Sequence, residues 1–160
     1  MQGSLPARLS SMPPETTMIV CALVRRAGRL LLVEEMEAGD PGPTWMLPGG
    51  RLEPGETLTE GLERELAEET GLRLAEHPVI AFAVDIVRPE GRYSAITFDC
   101  DGTGSVEPND PDGLVQSAAW LATDEALRRL AGVDWYDCRP LQRFLSGAAG
   151  AGTVYVADRT

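Results

Sequence analysis

Three glutamates on one face of a predicted helix constrain this chain more than any other feature of its sequence. Residues 50–72 read GRLEPGETLTEGLERELAEETGL, and this segment predicts a helix that ends at Gly71. With about 100° of rotation per residue, Glu65, Glu68 and Glu69 share one arc of that helix. Like charges held together are unfavourable unless something positive binds them. A divalent cation coordinated by oxygen atoms is the obvious candidate.

The position of the acidic arc relative to the leucines argues against a purely solvated surface. Thr57 and Glu60 have the spacing of a capping box, which places the start of the helix. The apolar stripe then consists of Leu58, Leu62 and Leu66. The opposite side, which we expect to face solvent, carries Thr59, Glu60, Glu63, Ala67 and Thr70. A solvated acidic face should lie opposite the leucines. The three glutamates instead overlap the apolar stripe, where an unpaired charge is costly.

The segment before the helix has the composition of a ligand-binding loop. Gly49 and Gly50 form a predicted turn, and Gly55 relieves steric limits on the loop that follows. We expect Arg64 to hold this loop through a bidentate ion pair with Glu56. The alternative for this pair is a weak contact at the surface.

These residues resemble the Nudix family, whose signature is G-x5-E-x7-R-E-U-x-E-E-x-G-U with U an aliphatic residue. Every fixed position is present at the right spacing. The matching residues are Gly50, Glu56, Arg64, Glu65, Leu66, Glu68, Glu69, Gly71 and Leu72. Nine specified positions in one short window make a chance match very unlikely. Gly61 and Leu62 depart from the small alanines that are frequent in the family, but neither is a candidate ligand.

The resemblance implies hydrolysis of a nucleoside diphosphate linked to a moiety X. It implies Mg²⁺, with Mn²⁺ as the alternative, bound mainly by Glu68 and Glu69. Glu65 and the carbonyl oxygen of Gly49 are implied as further ligands, while Gly50, Glu56 and Gly71 shape the motif. Hard cations prefer such oxygen ligands, and a metal of this kind activates water for in-line attack on phosphorus.

The sequence leaves the identity of the general base open. Glu65 or Glu68 within the motif could accept the proton, and Arg64 is counted with the catalytic group. An acid on the loop 101–113 could do so as well, because family members often place a glutamate there. The loop candidates are Glu107, Asp110 and Asp112, of which Glu107 is preferred by residue type.

The order of apolar and polar segments predicts an α/β fold, of the α/β/α sandwich type with a mixed central sheet. Strands are expected over 17–25, 29–34, 45–47, 78–87, 93–100 and 117–121, and later helices over 124–131 and 139–145. Residues 1–16 read as a mobile leader and 17–146 as the Nudix domain. Residues 147–160 form a Gly/Ala-rich tail with a candidate edge strand at 153–156.

Composition and charge limit the partners. A net charge of −11 argues against nucleic acid and anionic membranes, so we expect a small nucleotide substrate. No apolar run is long enough to span a bilayer and no secretory signal is visible, which favours a cytoplasmic protein. A homodimer is compatible with the fold.

The competing function is a nucleotide-sensing module without turnover. Such a loss of turnover should break the motif, and this motif is intact. Nucleoside triphosphates, nucleotide-sugars and ADP-ribose all fit as substrates.

Overall fold

The computed structural model describes residues 16–89 and 91–157, and its first two strands form the predicted hairpin. These strands, β1 (Thr16–Arg26) and β2 (Arg29–Glu35), are antiparallel neighbours joined by a tight turn at Ala27 and Gly28. Their central residues are almost fully buried, as continuous Val and Leu runs predict. The predicted leader lies outside the described residues except for Thr16.

The central sheet is mixed, as predicted. Its remaining strands are β3 (Thr44–Met46), β4 (Gly49–Arg51), β6 (Val79–Arg88), β7 (Gly91–Cys100), β9 (Val115–Ala122) and β10 (Thr153–Val156). In the described part of the chain the strand order is β10-β6-β7-β1-β2-β3, with β4 added on β1 and β9 on β2. β1 runs parallel to β7, and β10 runs parallel to β6, while the other pairs are antiparallel.

Helices cover both faces of the sheet, which makes the sandwich. The helix α1 (Leu58–Thr70) buries Leu62 and Leu66 against one face. The helices α2 (Thr123–Ala131) and α3 (Arg139–Leu145) bury Ala126, Leu130 and Leu141 against the other. No helix in the described ranges is both long and apolar enough to cross a membrane.

The ends of α1 agree with the sequence, but one residue on its predicted solvent side does not. Thr57 and Glu60 form the capping box, and Gly71 closes the helix with a φ of 77°. Thr70 was expected to face solvent, and this prediction is wrong, because Thr70 is fully buried. The loop after β7 folds over this end of the helix, where the Glu107 N–H donates to the Thr70 carbonyl oxygen at 2.9 Å.

The predicted turn at Gly49 and Gly50 is also wrong, since both residues lie in strand β4. β4 pairs with β1, with Gly49 opposite Cys21 and Gly50 opposite Val20. A Cβ atom on Gly49 would lie 2.1 Å from the Val20 carbonyl oxygen, so only glycine allows the two strands to approach this closely. The pairing fixes the backbone directly beside the acidic helix.

Besides β4, two more short strands were not expected. β5 (Arg73–Leu74) pairs with β8 (Gly102–Thr103), and together they tie the end of α1 to the start of the acidic loop 101–113. The candidate strand in the tail is present as β10, at the edge of the sheet.

Candidate active site

Arg64 lies at the centre of a hydrogen-bond network between helix α1 and the segment that precedes it. Its Nε and Nη2 atoms donate to the two carboxylate oxygens of Glu56 at 2.7 and 2.9 Å, which is the bidentate pair predicted from the sequence. Nη1 donates to Glu65 Oε1 at 2.7 Å, and Nη2 also donates to the Arg51 carbonyl oxygen at 3.0 Å. One guanidinium therefore joins the helix, strand β4 and the loop between them.

Glu56 is the anchor of that loop. Besides Arg64, its Oε2 atom accepts the Glu53 N–H at 2.8 Å. The hydrogen bonds from Arg64 lower the pKa of Glu56 to about 2. Glu56 therefore keeps its charge across the physiological range and holds the loop in one conformation.

Two glycines make room for these side chains. A Cβ atom on Gly50 would lie 2.4 Å from Glu65 Oε1, so the Glu65 carboxylate occupies the space that a larger residue would take. A Cβ atom on Gly61 would lie 2.2 Å from Leu52 Cδ2. Gly61 thus allows close packing of the loop on α1, and its departure from the common alanine has a structural cause.

Glu69 is the most deeply placed acid of the helix, with 8% of its surface exposed. Its Oε2 atom accepts the Gly49 N–H at 2.7 Å. Burial, together with the neighbouring carboxylates of Glu35 and Glu65, raises the pKa of Glu69 to about 9. Burial likewise raises the pKa of Glu65, against the opposing effect of Arg64. At neutral pH Glu69 therefore carries a charge only at an energetic cost unless a cation compensates it.

An open cavity of about 560 Å³ brings most of the predicted site residues together. From the motif, its lining includes Gly49, Gly50, Arg64, Glu65, Glu68 and Glu69. Glu56 and Gly71 lie outside the lining, but each helps to determine the shape of the cavity. Glu56 does so through Arg64, and Gly71 through the close approach of the loop, since a Cβ atom there would lie 2.5 Å from the Glu107 carbonyl oxygen.

The loop acids separate into two groups. Asp110 and Asp112 line the cavity, and the Asp110 carboxylate accepts the N–H groups of Asp112, Leu114 and Val115 at 2.8–3.1 Å. Glu107, the preferred candidate from the sequence, is exposed and is not part of the lining. The structure therefore brings Asp110, and not Glu107, towards the acids of α1.

Glu35 was missed by the sequence reasoning. It ends strand β2, is half-buried and lines the same cavity. Burial, with smaller effects from Glu37 and Asp110, raises its pKa to about 7. The available signal was a pair of acids, Glu34 and Glu35, at the end of an otherwise apolar strand.

The residues present suit a hard divalent cation in chemical type. The carboxylates of Glu65, Glu68 and Glu69 line the cavity beside the glycines of β4, and burial makes the charged form of Glu69 unfavourable unless a cation compensates it. Within residues 16–89 and 91–157, no three His, Cys, Asp or Glu side chains already converge as a ready-made ion shell. Arg64 and the Gly49 N–H hold two of the acids in the arrangement seen here.

Comparisons with known proteins match most of the chain to one family. A family model described as NUDIX domain matches residues 14–139. A MutT-like protein of Streptomyces ambofaciens is 34% identical over 130 residues, covering 81% of this chain and 79% of that protein. The nucleoside triphosphatase NudI of Escherichia coli is 34% identical over 131 positions, covering 69% and 93% of the two chains. Among solved structures, the MutT protein from Methanosarcina mazei superposes with a TM-score of 0.64 at 28% identity, over 86% of this chain and 99% of that one.

Proposed function

The chain belongs to the Nudix family of pyrophosphohydrolases, and we propose that it uses a divalent cation to cleave a nucleoside diphosphate linked to a moiety X. One observation carries the proposal. Three carboxylates of α1 line a cavity beside the glycine backbone of β4, and burial makes the charges of two of them, Glu65 and Glu69, unfavourable on their own. A bound divalent cation would remove that cost.

The proposed ligands are Glu68 and Glu69, with Glu65 and the Gly49 carbonyl oxygen as further contributors. Mg²⁺ is the expected ion, and Mn²⁺ has the same preference for oxygen ligands. When bound, such an ion neutralises pyrophosphate charge and lowers the pKa of a coordinated water.

The protein's own residues would hold this arrangement in place. Arg64 fixes the Glu65 carboxylate and, through Glu56, the loop that forms one wall of the cavity. The Gly49 N–H orients Glu69. Glu65, Glu68 and Arg64 remain the proposed catalytic group. Glu107 remains a prediction from the sequence, and its exposed position lends it no support.

Nucleoside triphosphates are our first choice of substrate. The nucleoside triphosphatase NudI is similar over most of its length to this chain. Nucleotide-sugars and ADP-ribose are the next substrates to test, because the motif acts on the pyrophosphate and not on X. The proposal needs no second subunit, since residues of one chain line the cavity.

The test is turnover of a nucleotide panel with Mg²⁺, with Mn²⁺ and with EDTA, followed by identification of the products. We expect metal-dependent formation of a nucleoside monophosphate. Glu63→Gln is the matched control for variants of the acidic cluster, because Glu63 lies on the exposed side of the same helix. Binding of nucleotides without turnover of any of them would favour the sensing module instead.

A further inference from the structure

We propose that Glu35 is the general base of this site and accepts a proton from the attacking water. The inference rests on the proposed function, because it concerns the same hydrolysis. It adds a residue that lies outside the family motif, on a strand instead of on the acidic helix.

The placement of Glu35 follows from the sheet. Glu35 pairs with Thr44 of β3 and Val115 of β9, so its backbone is fixed on both sides. Its neighbour Glu34 points elsewhere, since the Glu34 carboxylate accepts the Ser117 hydroxyl at 2.8 Å and Glu34 is not part of the cavity lining. A rigid strand end therefore presents one carboxylate to the cavity, on a different wall from α1.

Hydrogen bonding distinguishes Glu35 from the more buried acids of the cavity. Burial distinguishes it from three acids that also line the cavity but are exposed, namely Glu37, Glu53 and Asp112. Glu65 is paired with Arg64, Glu69 accepts the Gly49 N–H, and Asp110 accepts three N–H groups of its own loop. In the part of the chain that the structure describes, the Glu35 carboxylate accepts no hydrogen bond. Both of its oxygens are thus available to a bound molecule, and water is the molecule that this reaction must place there.

The other base candidates are less available for the same task. Glu65 would have to give up the 2.7 Å bond to Arg64, and Asp110 would have to give up the turn that it closes. Glu107 does not reach the cavity lining, and Asp112 reaches it but is exposed to solvent. Glu68 is contacted only at 3.5 Å by Arg64, but it is assigned above as a metal ligand. Among the acids of the cavity that the structure describes, Glu35 is half-buried and has neither a hydrogen-bond partner nor another proposed role.

In the proposed step, Glu35 accepts one proton of the water that attacks phosphorus. One O–H bond of the water breaks, and its proton moves to a Glu35 carboxylate oxygen. The water oxygen uses an electron pair to form a bond to phosphorus, and the bond from that phosphorus to the bridging oxygen breaks. The electron pair of the broken bond leaves with the bridging oxygen on the departing group.

The experiment compares Glu35→Gln with Glu34→Gln, a neighbour on the same strand that does not line the cavity. Steady-state turnover is measured on the best substrate of the panel, and Mg²⁺ binding is measured separately as the rise in melting temperature on adding Mg²⁺. We expect Glu35→Gln to lower kcat by roughly a hundredfold or more with little change in KM, as removal of a general base does. The Mg²⁺-induced rise should persist in Glu35→Gln, and Glu34→Gln should behave like the wild type.

A second variant keeps the test independent of folding. In Glu35→Ala the cavity gains space for a small acid, and added formate should restore part of the turnover. Unchanged turnover in Glu35→Gln beside an active wild type would overturn the inference alone. Loss of turnover together with the Mg²⁺ response, or without rescue by formate, would assign Glu35 a ligand or structural role and overturn it too. A wild-type protein without turnover on the whole panel would overturn the proposed function first, and the inference with it.

Discussion

Gly50 and Glu65 approach so closely that a single methyl group would occupy the space of the carboxylate. A Cβ atom on Gly50 would lie 2.4 Å from Glu65 Oε1 and 2.6 Å from its carboxylate carbon. Gly50 belongs to strand β4 and Glu65 to helix α1, so the contact sets the spacing between backbone and acid in the lining of the cavity.

Gly50→Ala should therefore impair turnover more than folding. The Glu65 carboxylate lies at the end of a flexible side chain and can move away, but it then loses its place beside Arg64. We expect turnover to fall about tenfold or more, because small displacements of catalytic groups are costly. The melting temperature should change little. Gly150→Ala is the control, since a Cβ atom there meets nothing within 4 Å. Full activity in Gly50→Ala would show that the contact has no catalytic importance.

Arg64→Lys tests the clamp, by which we mean the hydrogen bonds from Arg64 to Glu56 and Glu65. Lysine keeps the charge but has no planar fork, so it cannot donate to both Glu56 oxygens and to Glu65 in the same geometry. We expect turnover to fall about ten- to a hundredfold while the protein remains folded. Arg25→Lys is the matched control, because Arg25 forms a comparable bidentate pair with Asp99 at an exposed site. Equal effects of the two substitutions would argue against a special role of the clamp.

The part of the site that lies on α1 and on the loop before it could be predicted from the sequence, because it depends on contacts between residues close together in the chain. The capping box, the stop at Gly71 and the pair between Glu56 and Arg64 depend on spacings within one helix and the loop before it. Helical periodicity also placed Leu62 and Leu66 in the core. Such features follow from backbone geometry that does not need the rest of the fold.

The parts that could not be predicted depend on contacts between distant segments. Glu35 reaches the cavity because β2 pairs with β3 and β9, and one sequence does not reveal that register. Asp110 lines the cavity and Glu107 does not, because of the path that the acidic loop takes. That path is fixed by backbone hydrogen bonds to the end of α1, from the Glu107 N–H to Thr70 and from the Asn109 N–H to Glu68.

Glu69→Gln should separate metal binding from folding. Glutamine can still accept the Gly49 N–H, so the local structure should persist. Because burial disfavours the charge of Glu69, the variant should be at least as stable as the wild type in EDTA. We expect it to lose metal-dependent turnover and most of the Mg²⁺-induced rise in melting temperature. Glu63→Gln is the control, and full activity in Glu69→Gln would refute the ligand assignment.

The stability of the metal-free protein should depend on pH in an unusual direction. The folded-state pKa values of Glu69 and Glu35 are raised to about 9 and about 7, above the ordinary 4.5, so between pH 4.5 and 9 the folded state binds more protons than the unfolded state. The free energy of unfolding should therefore rise as the pH falls through this window. Below about pH 4.5 it should fall again, because the pKa of Glu56 is lowered to about 2.

Chemical denaturation in EDTA between pH 5 and 9 measures this dependence directly. Glu69→Gln should flatten the upper part of the curve, because the variant no longer binds the extra proton there. Saturating Mg²⁺ should stabilise the wild type most at high pH, where the carboxylates it would neutralise are ionised. A wild-type protein in EDTA that becomes steadily more stable from pH 5 to 9 would contradict the burial of uncompensated acids in this cavity.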